Sequence, residues 1–121
     1  MPAHDELKSL LKLLEEGTQQ KALNWQQTPT ENVFRMDLPG GAYVRLFRFE
    51  SLVEDEEREV RYILQLFTEK GNLLEEWSSA ELESQEAGKL NELYRLARRS
   101  ALDVEKQMQQ ILKSLREKVG G

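Results

Sequence analysis

The last third of the chain carries an apolar row with a nearly unbroken seven-residue repeat. Ala87, Leu90, Tyr94, Ala97, Ala101, Val104, Met108, Ile111 and Leu115 follow one another in steps of three and four. Side chains at that spacing share one face of an α-helix, so the row predicts a long helix from about Ser84 to Lys118. Such a rod runs roughly 50 Å at 1.5 Å per residue. Five paired strands span only about 24 Å. Part of the seam is therefore expected to need another helix, from this chain or from a second copy. Leu93, Leu96, Leu102 and Leu112 lie off the seam and widen the apolar face.

The earlier part of the chain changes period twice. Leu7, Leu10, Leu11 and Leu14 recur as one face of a helix over residues 4–16, with Asp5 and Glu6 near its start and Gly17 as the expected stop. The period then becomes two. Leu23 and Trp25 predict a short first strand. Phe34, Met36 and Leu38 alternate with polar residues in a second. Tyr43–Phe49 is the third strand and Val60–Phe67 the fourth, both with large apolar groups on two faces, so at least partial cover on both sides of the sheet is expected. Leu73–Trp77 is the fifth. Pro39-Gly40-Gly41 and Glu69-Lys70-Gly71-Asn72 are turn signals. Ser78-Ser79-Ala80-Glu81 fits a capping box and Ser84 is a second N-cap candidate, so a short turn is expected before the long helix. The expected fold is α+β in a single domain over residues 1–121: an N-terminal helix, a five-stranded antiparallel meander and a long C-terminal helix.

Composition removes several functions. The chain has no cysteine, which excludes disulfides and thiolate metal sites and fits a reducing, cytoplasmic setting. Residues 1–6 show no secretory leader pattern, and no apolar run is long enough for a membrane span. A net charge of −5 argues against general nucleic-acid binding.

No catalytic, cofactor-binding or metal-binding residue is identified. There is no nucleophile elbow, P-loop or dinucleotide fingerprint. His4 is the only histidine and has no convergent ligands. Glu54-Asp55-Glu56-Glu57 lacks the spaced ligands and glycine of a calcium loop. Trp25 and Trp77 read as core or edge anchors. Two surface candidates remain. The first is a dimer seam of Tyr94, Ala97, Ala101, Val104, Met108, Ile111 and Leu115. The second, weaker, is a polyanion patch of Arg95, Arg98 and Arg99, since arginine binds phosphate in bidentate fashion. Glu92 and Asp103 stand close enough along the helix to neutralise part of that patch.

Three stretches carry a resemblance: Leu14–Trp25, Tyr62–Glu76, and Leu93-Tyr94-Arg95-Leu96-Ala97-Arg98-Arg99-Ser100-Ala101. Together they resemble a group of small, uncharacterised bacterial proteins with a leucine-rich helix, a strand–glycine turn–strand unit and a leucine-tyrosine-x-x-alanine-arginine helix. The resemblance implies a helix, an antiparallel meander and a long helix, and no activity. The functional expectation is a non-enzymatic protein-interaction or regulatory module, a homodimer through its C-terminal helix and an exposed sheet face. The alternative is a nucleic-acid-associated regulator that uses the arginine cluster together with Arg45 and Arg48.

Overall fold

The computed structural model describes residues 2–52 and 58–120. Helix α1 (Pro2–Gln19) leads into strands β1 (Gln26–Gln27), β2 (Val33–Asp37), β3 (Tyr43–Leu52), β4 (Arg58–Phe67) and β5 (Leu73–Ser78); helices α2 (Ser84–Ala101) and α3 (Val104–Val119) follow. The strands lie side by side in chain order and each pairs antiparallel with the next. The chain is α+β, as its hydrophobic patterning predicts.

Alternation along the strands puts one residue set on each face. Phe34, Leu46, Leu64 and Trp77 stand in register across β2 to β5, with Met36, Val44 and Leu66 in the next row. This face meets Leu7, Leu11 and Leu14 of α1 and Leu90, Leu93 and Ala97 of α2, and together they form the core. Val44, Leu46, Leu64, Leu90 and Ala97 are fully buried. Each buried leucine contributes on the order of 1.5–3 kcal/mol relative to an exposed one. Tyr94 of α2 lies between Phe34 and Tyr62, with ring centroids 5.6 and 5.2 Å away.

Both predicted glycine turns form. Leu38 N–H donates to Ala42 O across the first (2.8 Å) and Thr68 N–H to Asn72 O across the second (2.9 Å). Gly41 and Gly71 take the left-handed backbone (φ 98° and 88°) that side chains disfavour. Ser78 and Ser79, at the end of β5, do not cap a helix. Ser79 Oγ accepts from Tyr62 N–H (2.9 Å) and Ser78 Oγ from Ala80 N–H (3.3 Å). They finish the sheet, and α2 starts at Ser84 after the expected turn.

Expectations for three regions need correction, the first being the connection from α1 to β1. Gly17 does not stop α1, which continues to Gln19. A Cβ at position 17 would sit 2.3 Å from Leu23 Cδ1, so this glycine provides room for the returning chain. Leu23 and Trp25 precede β1 rather than forming it. Trp25 is a core residue at 3% exposure; its Nε1–H donates to Thr18 Oγ1 (2.9 Å), whose hydroxyl donates to Leu14 O (2.6 Å).

The second correction concerns the C-terminal helix, which is present as two pieces. Leu102 N–H donates to Arg98 O (3.0 Å), Asp103 N–H to Ser100 O (3.1 Å), and Asp103 adopts the left-handed conformation (φ 51°, ψ 51°). Aspartate tolerates that region better than most residues. The break falls where the body of the protein ends: Ser100 Oγ accepts from Trp25 N–H (3.0 Å), and no described residue beyond Val104 is buried.

The third correction concerns the reverse face of the sheet. Tyr43, Phe47, Phe49, Ile63 and Phe67 line it, and all are partly or largely exposed. All three helices leave it uncovered, because α1 and α2 share the opposite face and α3 projects into solvent.

Candidate functional site

The projecting helix α3 carries the clearest unmet demand for a partner. At 100° per residue, Ile111, Val104, Leu115, Met108, Val119 and Leu112 fall within an arc of roughly 100°. Met108, Ile111 and Leu115 are 49%, 53% and 53% exposed, and Val119 is 82% exposed. A contiguous apolar patch of this kind on a protein with its own complete core marks an interaction site. Gln107 and Ser114 lie on one side of the arc and Glu105 and Arg116 on the other.

The start of α3 is tied to the turn that follows α1. Lys21, itself in a left-handed turn (φ 62°), places Nζ 2.9 Å from Glu105 Oε2. The hydrogen bond and charge of Glu105 raise the Lys21 ammonium above its ordinary value, and the same contact lowers the Glu105 carboxyl. Both groups are exposed, so the pair orients the helix more than it stabilises the fold. Below it opens a 320 Å³ cleft lined by Thr18, Asn24, Arg99, Asp103 and Val104, among others.

The seam expected from the sequence divides at Asp103. Tyr94 and Ala97 are 7% and 0% exposed within the chain's own core, and Ala101 packs against that core. These three are not open to a partner, because the sheet and α1 already cover them. Val104 is half-buried, and Met108, Ile111 and Leu115 form the exposed half.

The arginine cluster also separates. Arg95 binds Glu92 through two hydrogen bonds (2.6 and 3.1 Å), which raises the guanidinium and lowers the carboxyl. Arg98 borders a recess beside Thr28, Thr30 and Asn32, whereas Arg99 borders the cleft beside Lys21. Arg45 and Arg48 lie on opposite faces of β3, since Arg45 stands across from Gln65 and Arg48 from Tyr62. Arg48 stays on the helix side, paired with Glu50 at 3.2 Å. The five arginines do not share one surface.

An exposed sheet face is expected from the sequence, but its residues and their arrangement are visible only in the fold. Tyr43 and Phe67 stack with centroids 4.9 Å apart and planes 11° from parallel. The Arg35 guanidinium lies 3.9 Å above Tyr43, a cation–π contact, while also pairing with Asp37 (3.0 Å). Arg61 pairs with Glu59 at 3.3 Å, but its Nε is buried without a hydrogen-bond partner. The signal was the two-sided apolar pattern of β3 and β4, read as cover supplied from within.

The acidic stretch Glu54–Glu57 lies outside the described residues. Among the described residues, no group of three or more acidic or histidine side chains converges as a metal site. No described helix is long and apolar enough to cross a membrane. Comparison with known proteins found no matching family model, no matching curated protein and no matching solved structure.

Proposed function

We propose that this protein acts by association, as a non-enzymatic module that forms a homodimer through its C-terminal helix. The observation that carries this reading is the half-exposed stripe of Met108, Ile111 and Leu115 on a helix that contributes no buried residue to its own domain. A helix with one apolar stripe gains most of its stability by covering that stripe. The body beneath α3 already has a closed core, so the stripe serves something outside it. Closed two-fold pairing is the commonest way for a soluble chain to cover such a surface.

Light scattering at several concentrations tests the reading. The full chain is expected to run at twice its 14.1 kDa mass, with dissociation on dilution. Ile111→Glu, at an exposed position, is expected to yield a folded monomer with an unchanged circular dichroism spectrum. A dimer that survives Ile111→Glu, or a monomer at every concentration, contradicts the proposal. Ala101 is a poor place for this test, because its contacts are with the core. The alternative of a nucleic-acid regulator finds no comparable support, since its arginines are dispersed and partly neutralised.

A further inference from the structure

Two apolar surfaces of this chain lack a partner: the α3 stripe and the reverse face of the sheet. We infer that they partner each other between copies, so that α3 of one chain lies across the open sheet face of the second, reciprocally. This rests on the dimer proposed above and specifies which surface receives the helix.

The stripe is the wrong shape for the simplest rival, α3 against α3. A two-helix seam uses a narrow line of positions, whereas an arc of roughly 100° is the width used by helices that pack on a broad core surface. Area points the same way. The 16 residues of α3 give a face about 24 Å long and 10 Å wide. One helix–helix contact therefore removes on the order of 500 Å² from water, well below the roughly 1,200 Å² at the lower end of stable interfaces. Reciprocal docking makes two helix–sheet contacts and brings the total to about that size. The lengths agree as well, since α3 matches the sheet's width of about 24 Å.

The chain's own sheet face is out of reach. Only Leu102 and Asp103 separate α3 from α2, and α2 is docked on the opposite face. A straight helix rooted in that layer cannot also lie flat beyond the sheet. Charge favours a protein helix over a nucleic-acid strand on the same aromatic surface. Of the three arginines on this face, Arg35 and Arg61 are already paired with Asp37 and Glu59 and Arg45 stands beside Arg35, while the chain as a whole is acidic, at −5. By contrast α3 is basic, with Lys106, Lys113, Arg116 and Lys118 against Glu105 and Glu117, and Glu76 of β5 stands on the open face, across from Gln65.

The absence of cysteine makes a clean test possible on the full chain. Two single variants, Ile63→Cys on the sheet and Ile111→Cys on α3, are mixed under conditions of subunit exchange and treated with a short bismaleimide. Peptide mapping then identifies the linked positions. A 63–111 link between chains, abolished when Leu115→Glu is added to the helix variant, is expected. Dimers linked only 111–111 overturn the inference while leaving the dimer intact. A monomer by light scattering at every concentration overturns both. A monomer that retains a short single-stranded oligonucleotide through Phe47 and Phe67 also overturns it, by assigning the face to nucleic acid.

Discussion

Replacing Gly17 with alanine sets two opposing effects against each other, and the structure decides between them. Glycine within a helix costs roughly 0.5–1 kcal/mol relative to alanine, so propensity alone predicts stabilisation. The added Cβ, however, meets Leu23 Cδ1 at 2.3 Å and Cγ at 2.6 Å. Leu23 cannot retreat with its backbone, because the N–H groups of Ala22 and Leu23 both donate to Gly17 O (2.9 and 3.0 Å). Its side chain is packed against the core. Overpacking of this kind costs about 1–3 kcal/mol, so Gly17→Ala is expected to destabilise the protein by about 0.5–2 kcal/mol net. In a Leu23→Ala background only the Leu23 Cβ remains nearby, at 3.4 Å. There the same substitution is expected to stabilise, by about 0.5–1 kcal/mol. The coupling in the double-mutant cycle is then about 1–3 kcal/mol. Urea unfolding at one fixed protein concentration measures it, since association makes apparent stability concentration-dependent. A rise in midpoint for Gly17→Ala alone, or equal shifts in both backgrounds, would refute the role given to Leu23.

Thr18→Val removes the acceptor of the Trp25 indole N–H in a buried setting and is expected to cost about 1–3 kcal/mol, read by urea unfolding with tryptophan fluorescence. Asp103→Gly should leave the break in place with stability unchanged or slightly raised, whereas Asp103→Val, β-branched at φ 51°, should lose about 1–2 kcal/mol in thermal unfolding. The Lys21–Glu105 tether has two pH limits. The lowered Glu105 carboxyl contributes above its unfolded pKa and loses its contribution as acid titrates the folded form; the raised Lys21 ammonium contributes below its unfolded pKa and loses its contribution as base removes the proton. Spin labels at Gln20→Cys and Gln109→Cys should therefore report one narrow distance through neutral pH, persisting into acid below the ordinary carboxylate range and into base above the ordinary lysine range, with broader distributions only beyond those limits; a distribution that does not change with pH would remove the tether.

What was legible in the sequence follows from the range of each cause. Turns and strand alternation are local, so the glycine turns at 40–41 and 71, the number of strands and the capacity of Leu7, Leu11 and Leu14 to form a buried face can all be read directly, whereas the order of strands in the sheet cannot. Gly17 shows the limit. Its pattern is that of a helix stop, but what requires it is a contact with Leu23, which depends on the path taken by the returning chain. The arginines show the same limit in another form. Arg98 and Arg99 are adjacent in sequence, yet a rotation of about 100° between neighbours on a helix sends one towards β2 and the other towards α1.

The heptad row carries the most general lesson, because its periodicity is continuous and its environment is not. Ala97 and Ile111 occupy equivalent positions two turns of the pattern apart, yet one is fully buried and the other 53% exposed. A repeat in steps of three and four states that a face is apolar; it does not state what covers the face. Here one cover is the chain's own sheet as far as Ala101, and the reversal at Asp103 swings the remainder away from the body. A rod longer than the sheet implies that part of it is unsheltered, but the repeat does not say which part, and neither the break at Asp103 nor the burial of Tyr94 and Ala97 can be read from it. The fold also places the two unsatisfied surfaces, α3 and the reverse of β3 and β4, in one economy of burial. If the reciprocal dimer is correct, Ile111→Glu should also leave the aromatic face of the same chain open, so a solvatochromic dye such as ANS should bind the variant monomer more strongly than the dimer. Equal dye binding in the two states would mean that the sheet face is uncovered in both, and pairing would then have to run through the helices alone.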